Sequence, residues 1–224
     1  MGILKKLTEE YFGDTIREED LIDIHDLNVE IVSFTDNNGK NHKRGYKPED
    51  RDTLKELLER MIEVRGDEGN FNDIDTSDIT SMVSLFQFNE TFNGNITGWS
   101  VSKVIDMSGM FYCAKSFNQD ISKWEFPKVE NMKCMIWGAS SFNQDISKWK
   151  FPKVIYMDDM FSYAESFNQP IGDWKFPNVI SMNRMFYNAT SFKQDLSKWD
   201  LKGKDKIEIF YGCPIKKEYK PKMK

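Results

Sequence analysis

Asp120, Asp145 and Asp195 stand at multiples of one spacing, 25 residues, and Asn95 holds the same phase. If equivalent positions lie one above another at about 5 Å, close to the spacing of paired strands, two such carboxylates could share a proton as acid and base, or hold calcium. Pro170 occupies the third copy and breaks the row. The glycine-rich, oxygen-rich turns of calcium repeats are also missing. The aspartates are therefore expected to accept hydrogen bonds from backbone amides at the start of a strand.

Other reactive residues are few. His25 and His42 lie outside the repeated region, in no HExxH and no spaced His/Cys set, and read as surface or turn histidines. Cys113, Cys134 and Cys213 form no CxxC pair. Cys113 and Cys213 share a phase four turns apart, too far for a disulfide, and three unpaired thiols fit a reducing compartment. No P-loop, GxSxG or dinucleotide fingerprint occurs. The expectation is a non-enzymatic protein with no metal and no cofactor.

The 25-residue spacing organises most of the chain. Phe92, Phe117, Phe142, Phe167 and Phe192 form one ladder, and Trp99, Trp124, Trp149, Trp174 and Trp199 another. Met82, Met107, Met132, Met157 and Met182 form a third, and Ile79, Val104, Val129, Val154 and Val179 a fourth. A unit that cannot bury its own apolar side buries it against its neighbours. The Trp ladder could be a stacking platform for bases or glycans, but Ile74 stands at its phase in the first, degenerate unit, so core packing is the expectation. Asn118, Asn143 and Asn168 follow Asn93 as an internal ladder expected to bond neighbouring backbone.

Within each unit, "DISKW" reads as a short parallel strand. "VENMKCMIWGA" and its copies, apolar at i, i+3, i+6 and i+7, read as a short α- or 3₁₀-helical segment. Pro127, Pro152 and Pro177 separate the two. The predicted fold is α/β: a leucine-rich-repeat-like, right-handed solenoid of 25-residue turns, each a short parallel strand plus a short helical segment, with an N-terminal α+β cap. Its five to six repeats span residues 70–213. At the far end, Ile207 and Phe210 take the two methionine phases and Lys204 stands where valine is due. Residues 1–69 form the cap, with a possible helix, then a hairpin of "VEIVSF" and "TDNNGKNHK", then a helix over 48–65 with Pro48 and Glu49 in its first turn. A separate small domain is the alternative reading of this part. Residues 214–224 are a basic, solvated tail.

The unit "VSKVIDMSGMFYCAKSFNQDISKWEF" resembles the BspA-like leucine-rich-repeat surface protein family, which includes Mycoplasma-type lipoprotein repeats of a domain of unknown function. Its pattern, V..M..MF..A..FNQ.IS.W, recurs closely in four units and weakly in one or two, over residues 70–214. The resemblance implies a leucine-rich-repeat-type fold and an interaction role, with no catalytic residue. Many members are exported or lipid-anchored. The start "MGILKKLTEEYFGDTI" shows no signal-peptide core or lipobox, so the expected location is cytoplasmic.

The positions that the ladders leave free are Ser122, Lys123 and Glu125; Ser147, Lys148 and Lys150; Gly172, Asp173 and Lys175; and Ser197, Lys198 and Asp200. They would line the strand face as a mixed-charge ribbon, suited to a protein partner. Residues 75–200 carry 12 basic and 14 acidic side chains, which argues against nucleic acid. No apolar run is long enough to span a membrane. Three functions fit: a protein–protein interaction module, an intracellular immunity- or antitoxin-type neutralising protein whose acidic N-terminal part meets a basic target, and a glycan-binding or surface adhesin protein.

Overall fold

The computed structural model describes residues 22–222. The possible helix ahead of the hairpin falls mostly on residues 1–21, outside the described residues. Strand β1 (Val29–Thr35) pairs antiparallel with β2 (Asn41–Pro48), Val29 opposite Pro48 and Thr35 opposite Asn41. Helix α1 (Arg51–Arg65) begins three residues later than the sequence suggests, because Pro48 still belongs to β2. The Asp50 carboxylate caps the helix, accepting from the Thr53 amide at 2.8 Å. Gly66 ends it at φ 74°, its N–H on Ile62 O. Leu54, Leu57, Leu58 and Met61 bury the apolar stripe of α1 in the same core as the repeats. Strand β2 meets the first unit through Tyr46, which donates to Asp73 O and accepts from Asp75 N, both at 2.8 Å.

The strand-and-helix unit does not exist. Among the described residues there is one two-stranded antiparallel sheet, one α-helix and a 3₁₀ turn (Lys217–Tyr219). The repeated region is turns and loops joined by single-residue parallel bridges such as Ser81–Asp106 and Asn131–Tyr156. No parallel-strand solenoid of the leucine-rich-repeat kind forms, and the physical reason is local. In "DISKW" the Asp120 carboxylate accepts the Ser122 N–H at 3.0 Å and Ile121 O accepts the Trp124 N–H at 3.1 Å. Amides held by their own turn cannot pair as a strand. The expected helical segment fails differently. Cys134 (φ 54°) and Gly138 (φ 65°) are left-handed, as are their counterparts in every other unit. A left-handed residue every fourth position breaks a right-handed helix. It leaves alternate N–H groups bonding three residues back, as Met135 to Met132 O, while the others point to the next unit.

Those outward amides join the units. Met132, Cys134, Ile136 and Gly138 donate to Tyr156, Asp158, Met160 and Ser162 O at 2.8–3.0 Å, and the same four-bond set recurs at five junctions from Met82 to Tyr211. The Phe, Trp and Met ladders lie inside, all buried. Phe117, Phe142, Phe167 and Phe192 stack at 5.9–6.0 Å between successive rings.

The last unit is one residue short. Ser181 bridges Asp205, 24 residues on, so Ile207 falls opposite Asn183 and not at the methionine phase; it is 70% exposed. Ile209 and Phe210 take the core positions instead, Phe210 stacking on Phe186 at 5.9 Å. Cys213 thereby matches Ala189, and its shared phase with Cys113 is a coincidence of the slip. Lys204 closes the gap, its Nζ bonding Phe176 O and Val179 O at 2.8 and 2.7 Å. Beyond it the chain turns back, burying Ile215 and Pro221 and bonding Tyr219 O to Leu196 N.

Candidate functional site

The aspartate row is structural. Asp120, Asp145 and Asp195 accept from Ser122, Ser147 and Ser197 N at 2.8–3.0 Å, and Asn95 from Thr97 N at 3.2 Å. The serine hydrogen bonds, from hydroxyl and amide, hold all three carboxyls below their usual 3.8. An acid held low is a poor proton donor at neutral pH, and no group of three or more His, Cys, Asp or Glu able to hold a metal occurs among the described residues. A carboxyl with a lowered folded pKa contributes stability above its unfolded value and loses it as pH falls through the folded one. Thermal unfolding should therefore shift to lower temperature as pH drops below about 4, and replacing all three aspartates by asparagine, which keeps the acceptor, should flatten that dependence.

His42 is buried, not a surface residue. Its Nε2 lies 2.9 Å from Asp36 Oδ2 and its ring stacks on Phe34 at 4.9 Å. Burial alone would raise Asp36, but bonds from His42 and from the Lys40 and Asn38 amides outweigh it and hold the carboxyl low. This pair fixes the hairpin tip, which reaches the repeats: Asn37 N donates to Gly98 O at 2.8 Å and Lys123 Nζ to Asn38 Oδ1 at 3.1 Å. His25 is exposed.

The asparagines bond as a ladder, though at the surface. Asn118 Oδ1 accepts from Asn143 N at 2.9 Å, and Gln144 Nε2 donates to Asn118 O and Oδ1. The same set recurs from Asn93 to Gln194. The indoles of the Trp99-to-Trp199 ladder are buried, and those of Trp99, Trp149, Trp174 and Trp199 donate to carbonyls 28 residues back. The thiols are free; burial pushes Cys134 and Cys213 up to about 11.

The expected strand face is a row of turn tips. Ser122–Lys123, Ser147–Lys148, Gly172–Asp173 and Ser197–Lys198 are the central pairs of successive turns, each closed by a Trp N–H on the carbonyl three residues back. Lys123, Lys148, Asp173 and Lys198 are exposed, as are Glu125, Lys150, Lys175 and Asp200 beyond each Trp; Ser122 and Ser147 are half-buried, Ser197 exposed. Lys198 pairs with Asp173 at 3.0 Å.

One ladder escapes the sequence reading. Phe88, Tyr112, Trp137, Tyr163, Tyr187 and Tyr211 form a continuous column of rings on the surface, with centroids 4.4–5.7 Å apart. Its members alternate between two neighbouring phases and slip once, so no single phase holds an aromatic throughout. The signal was one aromatic per unit at either of two adjacent positions.

The repeat grammar decides the family. The family described as "Mycoplasma protein of unknown function, DUF285" matches residues 53–157 and again 128–219. The chain belongs to this family. The two matches start 75 residues apart, three repeat periods, so the family pattern fits the chain in two registers of the same stack. The first match begins inside α1 and the second among the turns of the repeats. No curated protein and no solved structure matches.

Proposed function

We propose that this DUF285 chain is a non-enzymatic protein–protein interaction module that binds through its row of exposed turn tips. The carrying observation is the division of labour in each tip. The turn closes its backbone bonds internally, leaving one exposed charged side chain at the same level of each unit: Lys123, whose Nζ meets Asn38, then Lys148, Asp173, and Lys198, which pairs with Asp173. A rigid, evenly spaced row of mixed charge, three lysines and one aspartate, suits a protein surface of complementary charge. The likeness of the units to BspA-like surface proteins supports a binding role of this kind, and the three free thiols suit a reducing compartment. The test is capture from native lysate by the wild-type chain and by Lys123→Glu/Lys148→Glu/Lys198→Glu, whose unchanged circular dichroism shows it folded. A partner lost at least tenfold by the triple variant supports the proposal; a partner held equally by both overturns it.

A further inference from the structure

At each of the five junctions, four alternate N–H groups of one unit meet four carbonyls of the next. In the last unit the corresponding amides belong to Lys206, Glu208, Phe210 and Gly212, and among the described residues none of the four has an acceptor. A row of unpaired backbone donors at an edge is a template for another chain. Residues 214–222 turn back toward Leu196 and set Lys220 Nζ 5.7 Å over the Phe210 ring, but none of their carbonyls accepts from these four amides. The side chains repeat the pattern. Tyr211, which stacks inward on Tyr187 at 4.8 Å, is 58% exposed, whereas Phe210, stacked on Phe186, is buried. Asp159, Arg184 and Glu208 form an alternating column: Arg184 Nε lies 3.2 Å from Asp159 and also feels Glu208, and among the described residues Glu208 forms no salt bridge.

We infer that this edge takes one further rung from another polypeptide: a segment presenting four alternate carbonyls, a basic residue to face Glu208, and, three positions later, a tyrosine to stack on Tyr211. Backbone addition at an open edge supplies affinity, and the side chains at alternate positions supply selectivity. Residues 181–187 of this chain, "SMNRMFY", already do this one junction earlier, with Arg184 against Asp159 and the carbonyls of Ser181, Asn183, Met185 and Tyr187 accepting from the preceding unit. A second copy of the chain is a poorer match. Its internal units are already paired, and its first unit lies under α1, whose Arg51 occupies Val83 O. Two copies meeting at this edge would set donors against donors.

This surface is separate from the row of turn tips, so either proposal can fail alone. The experiment uses the full chain labelled with ¹⁵N and a synthetic peptide copying residues 181–190. The peptide is expected to shift the amide signals of Lys206, Glu208, Phe210 and Gly212 and to slow their hydrogen exchange at least tenfold. A peptide copying residues 156–165, which sets Asp159 against Glu208, should bind at least tenfold more weakly. The chain variant Glu208→Lys should reverse that order of preference. Three results would overturn the inference: no change at these four amides, equal binding of the two peptides, or protection that grows with protein concentration without peptide, which would assign the edge to a second copy.

Discussion

Phe161→Ala should lower unfolding stability by about 3–5 kcal/mol, a large part of the roughly 5–15 kcal/mol that holds a folded domain together. The ring is fully buried, 4.3 Å from Phe167, 5.6 Å from Phe186 and 6.2 Å from Trp174. Truncation removes its apolar transfer energy, leaves a cavity, and ends aromatic pairs worth about 0.5–1.5 kcal/mol each beyond their area. The backbone around it cannot relax to fill the space, because the Phe161 amide is tied to Met185 O at 2.9 Å and Ala164 N bonds back to Phe161 O. Urea unfolding followed by tryptophan fluorescence checks this, with the midpoint falling and the slope unchanged. Phe88→Ala is the matched control: that ring is 64% exposed and touches the column only through Tyr112, so its cost should stay below about 1 kcal/mol. Equal costs at the two positions would mean that the inner ladder is not the core.

The contrast between Phe161 and Phe88 shows what the sequence discloses. A ladder held at one phase, such as Phe92 to Phe192, is visible because burial tolerates only residues of similar size and the 25-residue spacing never varies across it. Backbone conformation is less visible. Cys134, Asp159 and Arg184 all have φ between 51° and 55°, with no glycine to announce the left-handed turn. Only Gly109, Gly138, Gly203 and Gly212 mark such positions in the repeats. The apolar spacing of "VENMKCMIWGA" therefore reads as a helix, although its alternate amides serve the neighbouring unit. "DISKW" misleads in the same way. Its β-compatible residues are real, but Asp120 and Ile121 use the amides that a strand would need. The turn-tip residues were legible as exposed positions because nothing in the ladders uses them. The open edge was not, because a one-residue slip between Leu201 and Asp205 shifts the last rung out of phase. Only the paired backbone shows where Phe210 and Tyr211 belong.

If the units are equivalent rungs, removing 25 residues should do less harm than removing 12. Deleting residues 126–150 joins Glu125 to Phe151 and restores the sequence "WEFPKV" with every downstream phase intact. Phe117 then faces Phe167, Asn118 faces Asn168, and the carbonyls of Tyr156, Asp158, Met160 and Ser162 meet the amides of Met107, Gly109, Phe111 and Cys113. The shortened chain loses one junction, with its four backbone bonds and ring contacts, and should fold with a lower melting temperature, since the stability of a repeat array is roughly a sum over units and interfaces. Deleting only residues 139–150 leaves Met132 to Gly138 in place but removes Ala139, Phe142, Ile146 and Trp149, all buried. That breaks four buried rows at once, and with Gln144 it also removes Asn143, which receives the Asn168 amide at 2.9 Å. A cost of several large core truncations exceeds the whole stability of the chain, so this variant should show no cooperative unfolding. Near-ultraviolet circular dichroism and thermal melts of the two deletions check the comparison. Loss of cooperative unfolding in both would show that the units are not interchangeable, and that the ends of the stack, α1 on one side and Lys204 with the returning tail on the other, are fitted to one particular neighbour each.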